Sequence, residues 1–70
     1  MLRAFHVVIE RDPETGTFVG YVPGWPGAHT QGVDTEELLR NLREVIEMLL
    51  EDGDPKLESE FVDVQTILVA

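Results

Sequence analysis

Seventy residues are enough for one small domain, and a chain of this size buries only about 60% of its unfolded surface, so we expect it to associate with partners. The net charge of −9, from 14 acidic and 5 basic side chains, disfavours a nucleic-acid backbone as ligand and suits a basic protein. Without cysteine the chain lacks disulfides and thiolate metal sites, and no apolar run approaches the roughly 20 residues that span a bilayer, so we expect a cytoplasmic protein that does not insert into membranes.

The N-terminal third of the chain is predicted to be a β-hairpin. Residues 2–11 alternate in hydropathy and are rich in β-branched side chains, as in a half-buried strand. Residues 12–16 have turn chemistry, and residues 17–22 return antiparallel to the first strand. Apolar side chains on the far face of such a sheet would stay exposed on a monomer, which favours a homodimer or larger assembly. These are Val8, Val19 and Tyr21, or the set shifted by one residue in the strand register.

A loop rich in proline and glycine follows, with Trp25 at its tip. The turn residues on both sides fix the backbone, so residues 23–27 hold a large amphipathic ring in place. Residues 28–32 are predicted to form a third short strand, whose polar sequence indicates a solvated or shared sheet face. We interpret the loop as a contact surface; the alternative is that Trp25 fills the small core.

One amphipathic helix is predicted over residues 35–51. Asp34 is placed as its N-cap, Glu37 stands at the capping-box position, and apolar side chains recur at helical spacing. Gly53 and Pro55 end the helix, and residues 61–69 are predicted to form a last strand. The predicted fold class is therefore α+β: one domain over residues 1–70, with the order β-β-β-α-β and an antiparallel sheet of three to four strands covered on one face by the helix.

The sequence offers no clear catalytic or metal-binding constellation. Most acidic side chains belong to the solvated face of the helix, and the middle of the first strand, where a two-metal site would need ligands, is apolar. His6 and His29 are too few for a zinc site, and Ser59 has no nucleophile elbow around it. We therefore expect no enzyme activity, no catalytic residue, no metal and no cofactor.

Three runs of residues together resemble the HicB family of antitoxins. They are residues 7–10, residues 17–32 with the turn from Pro23 to Gly27, and residues 34–47 with the spacing Glu-Glu-Leu-x-x-x-Leu. The resemblance covers nearly the whole N-terminal antitoxin domain. The chain departs from the family at Ala28, where members often carry cysteine, and no helix-turn-helix or ribbon-helix-helix segment follows the last strand.

The resemblance implies a domain similar to a degraded ribonuclease H fold that takes part in a type II toxin-antitoxin system. Such a domain binds and occludes a HicA-type toxin, a small basic protein that cleaves messenger RNA, and assembles as a dimer or higher oligomer. Direct DNA binding is not expected, because the DNA-binding segment of longer members is absent. The candidate partner contacts are the loop and its neighbours together with acids of the helix: Tyr21, Trp25, His29, Glu44 and Glu47.

Two other functions stay open at this point. One is an orphan oligomeric scaffold or small-ligand-binding domain without a toxin. The other is a vestigial ribonuclease H-like, metal-dependent hydrolase, which predicts carboxylates clustered near Glu10 and the helix.

Overall fold

In the computed structural model, which describes residues 2–70, three antiparallel strands pack against one helix. The strands are β1 (Val8–Arg11), β2 (Phe18–Tyr21) and β3 (His29–Gly32), and they lie in the sheet in the order β1-β2-β3. The helix, α1 (Thr35–Leu50), packs on β2 and β3. The predicted α+β fold class and the order of the first four elements are confirmed.

The strand register assigns each side chain to one of two sheet faces. Val8 pairs with Tyr21, and Tyr21 pairs with His29, so these three side chains share one face. The next row, Ile9 with Gly20, points to the opposite face, where Gly20 lies against the Leu38 side chain of α1. The face that carries Tyr21 and His29 is therefore the face without a helix.

The helix begins and ends close to the predicted positions. The Glu37 N–H donates to Oδ1 of Asp34 at 2.7 Å, which confirms Asp34 as the N-cap. The Glu37 carboxylate accepts from the Val33 N–H at 2.7 Å, one residue before the position that a standard capping box uses. Gly53, at φ 111°, donates its N–H to the Leu50 carbonyl and ends the helix.

The buried core is small. Its apolar members are Val22 and Ala28, at the two ends of the loop, and Leu38 and Leu42, on the inner face of α1. No helix within residues 2–70 is long and apolar enough to cross a membrane.

The predicted last strand is wrong for this chain in isolation. Residues 61–69 pair with no strand of the described chain, and most of their apolar side chains are exposed. The first strand is also shorter than predicted, since residues 2–7 lie outside β1. Residues 2–7 have no neighbouring strand because β2 ends at Tyr21, where the chain turns into the loop. Residues 61–69 pair with no strand of the described chain, although the outer edge of β1 is free.

Candidate protein-contact surface

The loop between β2 and β3 is closed by three backbone hydrogen bonds. The Val22 N–H donates to the Ala28 carbonyl at 3.0 Å, so the strand pairing continues one step into the loop. The Trp25 N–H donates to the Val22 carbonyl at 3.1 Å, and the Ala28 N–H donates to the Trp25 carbonyl at 2.9 Å. These bonds give Trp25 a defined backbone position, as the proline and glycine content predicts.

The Trp25 ring is half-buried and packs on Phe5. The two ring centroids are 5.5 Å apart with an interplanar angle of 41°, a geometry typical of attractive aromatic pairs. The Arg3 guanidinium lies over the same Phe5 ring, 5.3 Å from its centroid. One part of the Trp25 ring therefore packs on the domain, and the other part stays accessible to solvent.

The loop rests on the segment that follows the helix. The Glu58 N–H donates to the Gly24 carbonyl at 2.7 Å. Gly24 has φ 81°, and a Cβ at this position would overlap the Ser59 backbone. Glycine is therefore required at position 24 both by the turn and by the close approach of residues 58–59.

Three of the five predicted contact residues line one shallow depression. Tyr21, Trp25 and His29 form it together with Glu58 and Ser59, and its volume is about 540 Å³. Tyr21 and His29 are cross-strand neighbours on the face without a helix, and both are exposed. The depression therefore combines two aromatic rings and an imidazole, side chains typical of protein-contact surfaces.

The two predicted helix contacts lie elsewhere. Glu47 lines a second groove, of about 450 Å³, which separates residues 2–7 from α1. Glu44 is exposed and lines neither this groove nor the depression at Trp25. The structure thus brings Tyr21, Trp25 and His29 together and leaves the two glutamates outside that cluster.

Sequence reasoning missed Phe5, Glu58 and Ser59 as neighbours of the loop. Phe5 carries a signal, because its position in the alternating pattern predicts an inward-facing ring. The sequence suggests no role for Ser59 beyond that of a nucleophile without an elbow, whereas its backbone and hydroxyl lie beside Gly24 in the structure. Nothing in the sequence pattern of residues 56–60 indicates that this segment returns to Gly24.

Most acidic side chains within residues 2–70 form no ion pair. Within residues 2–70 the one side-chain ion pair joins Arg3 to Asp54 at 2.7 Å. The same described range contains no group of three or more histidine, aspartate or glutamate side chains placed to hold a metal ion. The remaining carboxylates are therefore available to set a negative potential over the surface.

Comparison with known proteins identifies relatives of nearly the same length. The chain is 47% identical over 68 residues to a UPF0150 protein of Thermotoga maritima, covering 96% of this chain and 91% of the relative. It is 43% identical to a UPF0150 protein of Synechocystis and 42% identical to one of Archaeoglobus fulgidus, each over 65 residues and 93% of both chains. No protein-family model and no solved structure matches the chain. The names of these relatives state a family and no activity.

Proposed function

This chain belongs to the UPF0150 family, and we propose that it acts as a HicB-like antitoxin, a non-catalytic domain that binds and occludes a small basic, mRNA-cleaving toxin of the HicA type. The observation that carries the proposal is the surface cluster of Tyr21, Trp25 and His29 on a domain of net charge −9. The degraded ribonuclease H-like relationship and a cytoplasmic location are parts of the same proposal.

The geometry of the cluster supports protein binding. A half-buried Trp25, held by Phe5 and by backbone hydrogen bonds, loses little conformational entropy when a partner covers it. Rigid aromatic side chains of this kind supply much of the affinity of protein interfaces. Tyr21 and His29 add hydrogen-bonding groups at the rim of the ring.

The charge of the domain supports a basic partner. A surface with excess carboxylates attracts a positively charged protein at long range and raises its association rate. A toxin that binds RNA needs a positive surface for the phosphate backbone. An acidic domain that covers that surface competes directly with RNA, and the proposed mechanism is therefore occlusion.

A binding and cleavage experiment tests the proposal. The neighbouring reading frames are searched for a small basic protein, and the chain is mixed with any such protein found there. The affinity is measured by calorimetry while cleavage of a messenger RNA is followed in parallel. We expect a stable complex and loss of cleavage at equimolar antitoxin. Absence of a complex, or a complex that still cleaves RNA, contradicts the proposal and leaves an orphan scaffold or small-ligand-binding domain.

A matched pair of variants locates the surface. His29 and Gln31 lie two residues apart on β3, share a sheet face and are both exposed, but only His29 lines the depression with Trp25. We expect His29→Ala to weaken toxin binding about tenfold or more, whereas Gln31→Ala changes it little. Equal effects of the two substitutions on toxin binding would contradict a contact centred on the depression at Trp25. Trp25→Ala is a poorer probe, because it also removes packing on Phe5.

The metal-dependent hydrolase is tested on the isolated chain. Calorimetric titration with magnesium or manganese measures whether carboxylates near Glu10 bind a divalent cation. Micromolar affinity there would contradict the purely antitoxin role.

A further inference from the structure

Two stretches with strand-like sequence have no strand partner within the described chain. Residues 2–7 precede β1 and extend beyond Tyr21, the end of β2, so they have no neighbour there. Residues 61–69 follow the helix and extend away from the sheet. β1 is itself an edge strand, since the sheet order is β1-β2-β3. A free edge of this length presents unpaired N–H and C=O groups, which pair readily with an added strand.

An apolar groove follows the helix side of this edge. Phe5 and Val7 line it from the segment that precedes β1, and Leu39 and Ile46 line it from α1. The lining also includes charged side chains: Arg3, Arg43 and Glu47. Because α1 packs on β2 and β3, the groove stays open beside residues 2–7, which lead into β1, and Leu39 is 47% exposed. The groove therefore has the position and the chemistry to receive one more strand with an apolar face.

The C-terminal segment, residues 62–69, carries such a face. Side-chain alternation places Val62, Val64 and Leu68 on one side, and they are 85%, 75% and 93% exposed. Asp63 and Gln65 lie on the other side, where Nε2 of Gln65 donates to Oδ2 of Asp63 at 2.8 Å. This hydrogen bond, with one from the Val64 N–H, lowers the pKa of Asp63. The segment is thus apolar on one face except at Thr66. The other face is polar at Asp63 and Gln65 and apolar at Ile67 and Val69.

The start of this segment is held away from the groove of its own chain. Phe61 stacks on His6 with ring centroids 4.8 Å apart and an interplanar angle of 28°. In an extended stretch His6 points opposite to Phe5 and Val7, which line the groove. From Phe61 the chain extends outward, and the molecule measures 46 Å along its long axis against 27 and 20 Å. Its own groove is left open.

We propose that residues 62–69 of one copy dock as an added strand on the free edge of a second copy, with Val62, Val64 and Leu68 in the groove between its residues 2–7 and α1. Two such exchanges around a twofold axis give a closed homodimer. The lengths are compatible, because residues 62–69 span about 26 Å as a strand and residues 2–11 about 33 Å. The proposal concerns this chain alone and does not depend on toxin binding.

The first test uses two lysine substitutions on adjacent residues of the segment. Val64→Lys places an ammonium group in the apolar groove, and we expect it to raise the dimer dissociation constant by about 100-fold or more. Gln65→Lys adds the same charge to the opposite face and leaves the dimer intact. Light scattering on the full chain measures the mass, which is expected to be twice the 7.9 kDa of one chain for the wild type.

The second test alters the groove and leaves the segment unchanged. Leu39→Lys is expected to give monomers, as Val64→Lys does, and circular dichroism checks that both variants keep their fold. In an equimolar mixture of the two variants, the unchanged segment of Leu39→Lys can dock in the unchanged groove of Val64→Lys. The mixture is therefore expected to recover dimeric mass. A monomeric wild type, equal masses for Val64→Lys and Gln65→Lys, or a dimeric Leu39→Lys variant would each overturn the proposal.

Discussion

At the scale of single residues, the sequence predicts the fixed backbone around Trp25 but not the packing of its ring. Its flanking prolines and glycines predict a fixed loop, and three backbone hydrogen bonds confirm one. The choice between core and contact surface depends on Phe5, which lies far from Trp25 in sequence and packs on it in space. A local pattern cannot specify such a contact, because the contact depends on how the segment before β1 crosses the loop.

Gly24→Ala is predicted to destabilise the domain by about 2–3 kcal/mol. The substitution adds the cost of a positive φ, about 1 kcal/mol, to a steric clash with Ser59 that disturbs the hydrogen bond from Glu58. Thermal unfolding measures the loss, at about 4–8 °C per kcal/mol for a domain of this size.

Gly16→Ala is the matched control for this substitution. Gly16 has a similar φ of 76°, but a Cβ there meets nothing within 4 Å. We expect a loss of about 1 kcal/mol, due to backbone strain alone. If both substitutions cost the same, the packing of residues 58–59 under the loop contributes nothing to stability.

At the scale of elements, the sequence predicts those whose stabilising contacts are local or sequential. The hairpin, β3 and α1 follow from turn chemistry, alternation and capping around Asp34, and all of them are confirmed. Residues 2–7 and 61–69 have equally good strand patterns, yet they form no strand. Alternation of apolar and polar side chains indicates that a segment suits a sheet. It does not indicate whether the neighbouring strand belongs to the same chain.

Asp34→Ala is predicted to cost about 1 kcal/mol of folding free energy. The substitution removes the acceptor for the Glu37 N–H and a negative charge at the positive end of α1. Denaturant unfolding of the full chain measures the effect.

Asp52→Ala controls for the change in net charge. Asp52 follows the C-terminal end of α1, where its carboxylate faces the negative end of the helix dipole, so its removal is expected to be neutral or slightly stabilising. A loss at Asp52 equal to that at Asp34 would argue that net charge, and not capping, sets the stability.

At the scale of the whole molecule, the net charge favours binding of the proposed toxin, whereas the exposed apolar surface favours binding of a second copy of the chain. The net charge of −9 acts over distances comparable to the size of the domain and favours a basic protein. The exposed apolar face of residues 62–69 acts only on contact and suits a second copy of the chain.

Added salt is therefore predicted to separate the two associations. Raising the ionic strength from about 0.1 M to about 1 M shortens the Debye length from about 10 Å to about 3 Å, and we expect the association rate with the toxin to fall by about tenfold or more. Glu44→Gln and Glu47→Gln should each lower this rate slightly and leave dissociation unchanged. Stopped-flow fluorescence of Trp25 measures the rate, and light scattering follows the homodimer, whose mass is expected to persist. A rate insensitive to salt would contradict an electrostatically guided encounter.

The hydrogen bond from the Glu58 N–H to the Gly24 carbonyl joins the two proposed surfaces. Gly24 precedes Trp25 in the loop, and Glu58 lies three residues before Phe61, from which the C-terminal segment departs. If docking of that segment on a second copy shifts residues 58–61, the loop shifts with them. Thermodynamic linkage makes such an effect reciprocal, so that assembly would tune the affinity for toxin by the same factor by which bound toxin tunes assembly. One backbone contact would then make this small domain cooperative.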